Sequence, residues 1–182
     1  QSISDSVQRK LIHGYYACVS YIDHEIGRLI KRLKELKIYD NSLIVLWGDH
    51  GWQLGEHNLW AKHCNYQTSL KVPLIIKYPN QIKQKKVNTV VELFDLYPTL
   101  CDLSQIEKPT HLQGKSLVTI NKSNPKNFKA YSRYHKGFTV TTNDYSYTKW
   151  ANKENTFKTD MMYNLKNDPD ENINISVIRN ND

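Results

Sequence analysis

No stretch of this sequence approaches the ~18 consecutive apolar residues that a membrane-spanning helix needs, so no membrane span is expected. Cysteine is scarce: Cys18, Cys64 and Cys101 lie far apart in 182 residues, and none has the CxxC spacing of a structural zinc site. Internal repeats are absent. So is any nucleic-acid-binding motif, and nucleic acid is set aside as a partner. The first residue is Gln1, and no basic segment followed by an apolar core opens the chain, so no secretory signal is visible. The expectation is a fragment or a processed chain.

What is present is a hydrophobic fraction of 39% in short runs, which predicts a soluble globular protein. The net charge of +7 suits an acidic partner. Lys83, Lys85 and Lys86 form the one tight basic cluster and read as a solvated loop. Cys18 and Cys101 fall in apolar helical patterns and are expected to be buried thiols, with Cys64 a bystander beside His63. Asn121-Lys122-Ser123 and Asn174-Ile175-Ser176 are sequons, meaningful only in a secretory pathway.

Apolar residues at Leu11, Tyr15, Val19, Ile22, Ile26, Leu29, Leu33 and Leu36 recur every three or four positions. This predicts a long amphipathic helix over about 5–37, capped by Ser4 or Asp5, with Gly27 permitting close packing. The chain then enters Ser42-Leu43-Ile44-Val45-Leu46-Trp47, read as a buried strand, and helix followed by strand is an α/β unit. Further strands are expected at Lys71–Tyr78 and Val87–Val91, with a helix opened by Asp95 and running to Leu103. Three short alternating runs, Phe128–Tyr134, Gly137–Thr142 and Tyr145–Trp150, predict an antiparallel meander turning at Asn143-Asp144.

The densest chemistry follows the strand: Gly48-Asp49-His50-Gly51-Trp52-Gln53-Leu54-Gly55-Glu56-His57-Asn58-Leu59-Trp60-Ala61-Lys62-His63. Open α/β sheets bind ligands at the carboxyl ends of their strands. Five metal-capable or titratable side chains and a lysine in sixteen residues exceed what a connecting loop requires. For Asp49 and His50 to share one ion, a carboxylate oxygen and a ring nitrogen must both reach it at about 2.0–2.6 Å. Neighbours on a strand point to opposite faces, so Gly48 and Gly51 are expected to bend the backbone.

This segment resembles the metal-site segment of type I sulfatases, most closely the iduronate-2-sulfatase branch. The likeness extends through Val91-Glu92-Leu93-Phe94-Asp95-Leu96-Tyr97-Pro98-Thr99-Leu100 and the turn His111–Leu117. It ends with Met162-Tyr163-Asn164-Leu165-Lys166-Asn167-Asp168-Pro169-Asp170-Glu171-Asn172, where Asn164 replaces the usual Asp. The resemblance implies an α/β chain that is the C-terminal part of an alkaline-phosphatase-like fold. Residues 1–127 would belong to the sulfatase α/β domain and 128–182 to a small antiparallel subdomain.

For chemistry, the resemblance implies sulfate ester hydrolysis, on a sulfated sugar such as a 2-sulfated uronic acid. Asp49 and His50 would be metal ligands and Lys62 would contact the sulfate. His57 would be a further catalytic candidate and Trp52 a wall of the substrate pocket, though both also read as structural. Glu56 is expected to brace the loop. The relatives imply Ca²⁺, while an imidazole ligand equally suits Mn²⁺ or Zn²⁺. Their nucleophile is a formylglycine made from Cys in Cys-x-Pro-x-Arg, and none of Cys18, Cys64 or Cys101 begins that motif. This chain therefore carries half a site and is expected to be inactive alone, its partner being the N-terminal part of the fold. The compartment implied is lysosomal, secreted or periplasmic. Two other readings remain: a phosphodiesterase or phosphonate hydrolase of the same fold, and a non-catalytic chain that binds sulfated glycan.

Overall fold

A computed structural model describes residues 3–79, 86–122, 128–152 and 156–176. Helix α1 spans Asp5–Glu35, close to the range set by the apolar spacing. Ser4 stands at its N-cap without a side-chain bond, and Arg32 and Lys34 sit in its last turn, where the helix dipole favours cations. No residue of α1 is buried. Cys18 is thus exposed rather than a buried thiol, whereas Cys101 is buried as expected. Among the described residues nothing lies within 4 Å of the place a Cβ would take on Gly27.

Strand β1 (Ile44–Trp47) pairs antiparallel with β4 (Leu74–Lys77). The pair is two-stranded, and Leu46 and Trp47 are exposed. The apolar run is a strand as predicted, but it is not buried, because one neighbour covers an edge and neither face. Lys77 ties the pair to the preceding turn: its Nζ donates to the carbonyls of Tyr39, Asp40 and Ser42 at 2.5, 2.9 and 3.0 Å. Between these strands lie the short hairpin β2 (Gln53–Leu54) and β3 (Trp60–Ala61), and the single turn of α2 (Gln67–Leu70).

No strand forms over Val87–Val91. Two of its backbone groups are held by one side chain: Asn143 accepts from the Val90 amide at 2.9 Å and donates to the Asn88 carbonyl at 2.9 Å. Of the lysine cluster, Lys83 and Lys85 lie outside the described residues. Helix α3 (Leu96–Leu103) follows a 3-10 turn at Leu93–Asp95. Asp95 does not cap α3 with its side chain. It reaches back to the Glu92 amide at 3.0 Å and across to the Lys115 amide at 2.8 Å. Thr99 donates to the Asp95 carbonyl at 2.6 Å and accepts from the Leu117 amide at 2.8 Å. Two landmarks that are separate in sequence, the Asp-Leu-Tyr-Pro-Thr stretch and the Gly-Lys-Ser-Leu turn, are therefore one hydrogen-bonded unit.

The meander is four-stranded, in the order β5 (Ala130–Tyr134), β6 (Gly137–Thr141), β7 (Tyr145–Ala151) and β8 (Phe157–Asn164), all antiparallel. One face alternates inward through Gly137, Thr139 and Thr141 of β6 and Ser146 and Thr148 of β7. Strand residues two apart share a face. On that face the hydroxyls of Thr139 and Thr148 bond to each other at 2.7 Å.

The chain divides into two compact units: Gln1–Trp47, Trp52–Lys62 and Pro73–Lys83 form one, and Gly48–Gly51, His63–Val72 and Gln84–Asp182 the other. The segment carrying Asp49 and His50 thus belongs to the same unit as the meander.

Candidate active site

Asp49 and His50 come together. The Asp49 Oδ1 accepts from the His50 amide at 3.0 Å, which turns the carboxylate toward its neighbour. Its Oδ2 lies 3.6 Å from His50 Nε2, a separation that one ion at ordinary ligand distances of about 2.0–2.6 Å can bridge. His50 Nδ1 lies 2.8 Å from the Gly51 carbonyl. A carbonyl only accepts, so Nδ1 is the donor in this contact, and a neutral ring so held has its lone pair on Nε2. That is the tautomer a metal requires of this nitrogen. Asp49 caps no helix, and its side chain is 83% exposed against 31% for His50. Among the described residues no cluster of three or more His, Cys, Asp and Glu side chains could hold a metal.

Gly51 fixes this pair by proximity, not by an unusual dihedral. Among the described glycines only Gly55 has a positive φ. A Cβ on Gly51 would sit 1.9 Å from the Thr68 carbonyl oxygen, and the Gly51 amide donates to the Ser69 carbonyl at 2.8 Å. The metal-candidate loop is thus laid directly on the backbone of α2.

The other candidates belong to the first unit. Trp52 stacks on Tyr15 of α1, with ring centroids 6.5 Å apart and an interplanar angle of 26°, a packing contact. Glu56 Oε2 accepts from the Leu54 amide at 2.5 Å, as the loop-bracing reading expects. His57 is half-buried at the hairpin turn with φ 54°. Gly55 is needed there for its φ of 119°. Ala61 has φ 71°, a left-handed kink immediately before Lys62, which is half-buried. In the second unit the His63 ring stacks on Tyr134 at 5.5 Å and 2°. Cys64 Sγ donates to Ser69 Oγ at 3.0 Å.

Sequence reasoning gave no role to the acidic residues of the C-terminal signature. Asp168 Oδ1 and Oδ2 accept from the amides of Asn172 and Ile173 at 3.0 and 2.7 Å, folding the loop that presents Glu171. Glu171 is 3% exposed and accepts from the Gln67 amide at 2.6 Å. Burial pushes its carboxyl up, against the Gln67 amide and the Ser146 hydroxyl, which favour the charged form. Asn164 Oδ1 accepts from the amides of Lys166 and Asn167 at 3.1 and 3.3 Å, so an amide oxygen supplies here what the usual Asp would. The sequon residue Asn174 is likewise engaged: it accepts from the amides of Met162 and Ser176 at 2.8 and 3.0 Å.

Comparison with known proteins matches the sulfatase family model over residues 2–106. The model described as N-sulphoglucosamine sulphohydrolase, C-terminal, matches residues 55–181. A sulfatase of Formosa agariphila is 36% identical over 95% of this chain and 34% of its own length. Human iduronate 2-sulfatase is 27% identical over 79% of this chain and 38% of its own. The solved structure of BT4656 in complex with its substrate D-glucosamine-2-N,6-O-disulfate matches with a TM-score of 0.76 at 27% identity, covering 96% of this chain and 39% of that one. The chain spans about a third of the length of the curated relatives it matches. Its α/β architecture is the C-terminal part of an alkaline-phosphatase-like fold with a small antiparallel subdomain. By its loop, its fold and both family models, this chain belongs to the sulfatase family.

Proposed function

We propose that the complete protein carrying this chain hydrolyses a sulfate ester on a sugar, in the manner of an iduronate-2-sulfatase, and that Asp49 and His50 hold a divalent cation. The observation that carries this reading is the 3.6 Å approach of Asp49 Oδ2 to His50 Nε2, with the ring set by the Gly51 carbonyl. Ca²⁺ suits the hard carboxylate oxygen, and the imidazole extends the choice to Mn²⁺ or Zn²⁺. A bound divalent cation neutralises charge on the sulfate oxygens and polarises the nucleophile. Lys62 takes the sulfate-contact role, as a point charge on a flexible stem. Trp52 and His57 serve the loop rather than the reacting atoms. The nucleophile, a formylglycine in this reading, comes from outside these 182 residues, and the chain alone has no turnover.

The test is hydrolysis of sulfated uronic acid and sulfated glucosamine substrates by the complete protein, with and without a chelator. Sulfate release abolished by the chelator, and by Lys62→Ala at unchanged melting temperature, is the expected result. Turnover of phosphonate monoesters in preference to sulfate esters contradicts it. So does Lys62→Ala unfolding the protein while activity per folded molecule stays the same.

A further inference from the structure

The Asp49–His50 pair rests on a short relay of backbone contacts within one unit. Gly51 lies against the Thr68–Ser69 backbone of α2 and donates to the Ser69 carbonyl at 2.8 Å. The start of α2 is in turn gripped from two sides. From the meander, Gln67 Nε2 donates to Thr141 Oγ1 at 3.2 Å, and Asn65, 1% exposed, lies against Gly137, whose Cβ position is 2.5 Å from Asn65 Nδ2. From the C-terminal signature, Glu171 accepts from the Gln67 amide at 2.6 Å, across 104 residues of sequence.

The signature loop is built to deliver that carboxylate. Asp168 closes the loop through the amides of Asn172 and Ile173, and its own carbonyl accepts from the Glu171 amide at 3.1 Å. Glu171 itself holds φ 56°, a left-handed conformation that costs a non-glycine side chain energy. A carboxylate buried to 3% exposure is also costly unless paired. Neither cost serves the loop itself, which Asp168 already closes. The bond to α2 offsets part of both costs, while the second carboxylate oxygen, Oε1, stays buried without a hydrogen bond.

We propose that Glu171 is a positioning residue for the Asp49–His50 pair, acting through the Gln67 amide and α2 to hold the Gly51 backbone in place. This rests on the reading of that pair as cation ligands and adds the device that sets their geometry. A 1 Å displacement at a reacting centre can cost about a hundredfold in rate, and partners supporting a ligand from outside the first shell typically contribute about 10–100-fold in metal affinity.

The experiment compares the complete protein with Glu171→Ala, Glu171→Gln, Gln67→Pro and Asp49→Ala by calcium titration and residue-resolved amide exchange. Lys166→Ala, which breaks an exposed ion pair with Asp144, is the control. Gln retains an acceptor oxygen for the Gln67 amide. Pro removes that amide from the other side, at a first helical position preceded by an extended residue (Tyr66, φ −83°, ψ 155°), where it is tolerated. The expected result for Glu171→Ala is calcium affinity weakened on the order of tenfold, with faster exchange at Gly51 and Lys71 but not at Thr148 of β7. Glu171→Gln restores both. If Glu171→Ala does not fold, Gln67→Pro carries the same expectation when read against Gln67→Ala, which removes only the side-chain bond to Thr141. The proposal is overturned if the melting temperature falls while calcium affinity and Gly51 exchange stay at their original values. It is equally overturned if exchange accelerates throughout the meander. If Asp49→Ala leaves calcium affinity unchanged, the cation reading fails, and the Gly51 exchange still decides whether Glu171 positions the loop.

Discussion

Gly51→Ala is the smallest change that separates a loop laid on α2 from one that merely passes by it. The added methyl would meet the Thr68 carbonyl oxygen at 1.9 Å, the Thr68 carbonyl carbon at 2.9 Å and the Ser69 Cα at 3.1 Å. The first contact is about 1.5 Å short of the 3.4 Å at which ordinary contact begins. All three neighbours are backbone, so no side chain can rotate away. Overpacking of this kind costs about 1–3 kcal/mol. The Gly51–Ser69 hydrogen bond is lost if the strands of chain separate, at about 1 kcal/mol. The sum is about 2–4 kcal/mol, together with a displacement of His50 on the order of 1 Å, enough to weaken cation affinity by about 10–100-fold. Denaturant unfolding of the complete protein and calcium titration read the two effects separately. A Gly51→Ala variant with the original midpoint and the original calcium affinity would refute the reasoning.

Asp95→Ala removes the acceptor of two part-buried amides, of Glu92 and Lys115. Bonds to a charged acceptor are worth about 1.5–3 kcal/mol each when buried; water can replace part of each at these part-buried amides, so a loss of about 2–4 kcal/mol is expected by denaturant titration. A change within ~0.5 kcal/mol, the range of an ordinary surface site, contradicts it. Glu171 gives a pH signature. Its folded carboxyl is raised by burial and by Asp168 on the same loop, opposed by the Gln67 amide and the Ser146 hydroxyl. The nearby Tyr163 of β8, pushed up by its own burial and by the Tyr66 hydroxyl, remains neutral. A raised acid contributes stability that is complete below its ordinary value of about 4.3 and is lost as pH rises through the folded value. Glu171→Gln should remove that decline, and unfolding midpoints from pH 4 to 8 that run parallel in both proteins would contradict it.

The helix, the metal-candidate loop and the meander are legible in the sequence because each is a local pattern. Three- and four-residue spacing writes α1. The glycines around Asp49 and His50 mark a sharp backbone event, and alternation writes β5 to β7. What fails to show is long-range. The antiparallel partner of β1 cannot be read from Ile44–Trp47, and its exposure follows from having a single neighbour. Val87–Val91 has strand composition, yet it forms no strand, and the Asn143 side chain takes the Val90 amide and the Asn88 carbonyl. β8 hides behind the polar Lys158, Thr159 and Asp160 and is defined by its ladder to β7. Asp95 looks like a cap for the helix after it and bonds elsewhere. Gly51 invites an argument from dihedral freedom, and its actual reason is the carbonyl beneath it. Glu171 lies in a recognisable signature, but a lone acid in a loop carries no sign of a partner 104 residues away.

The central claim is that Asp49 and His50 jointly ligate a divalent cation in the complete protein. Calcium titration of that protein against Asp49→Ala, His50→Ala and the double variant tests it most directly. The account predicts that each single change weakens binding severely and that the double variant loses little more than either, because the two donors serve one ion. Full-strength calcium binding in both single variants, with their folds intact, would contradict it.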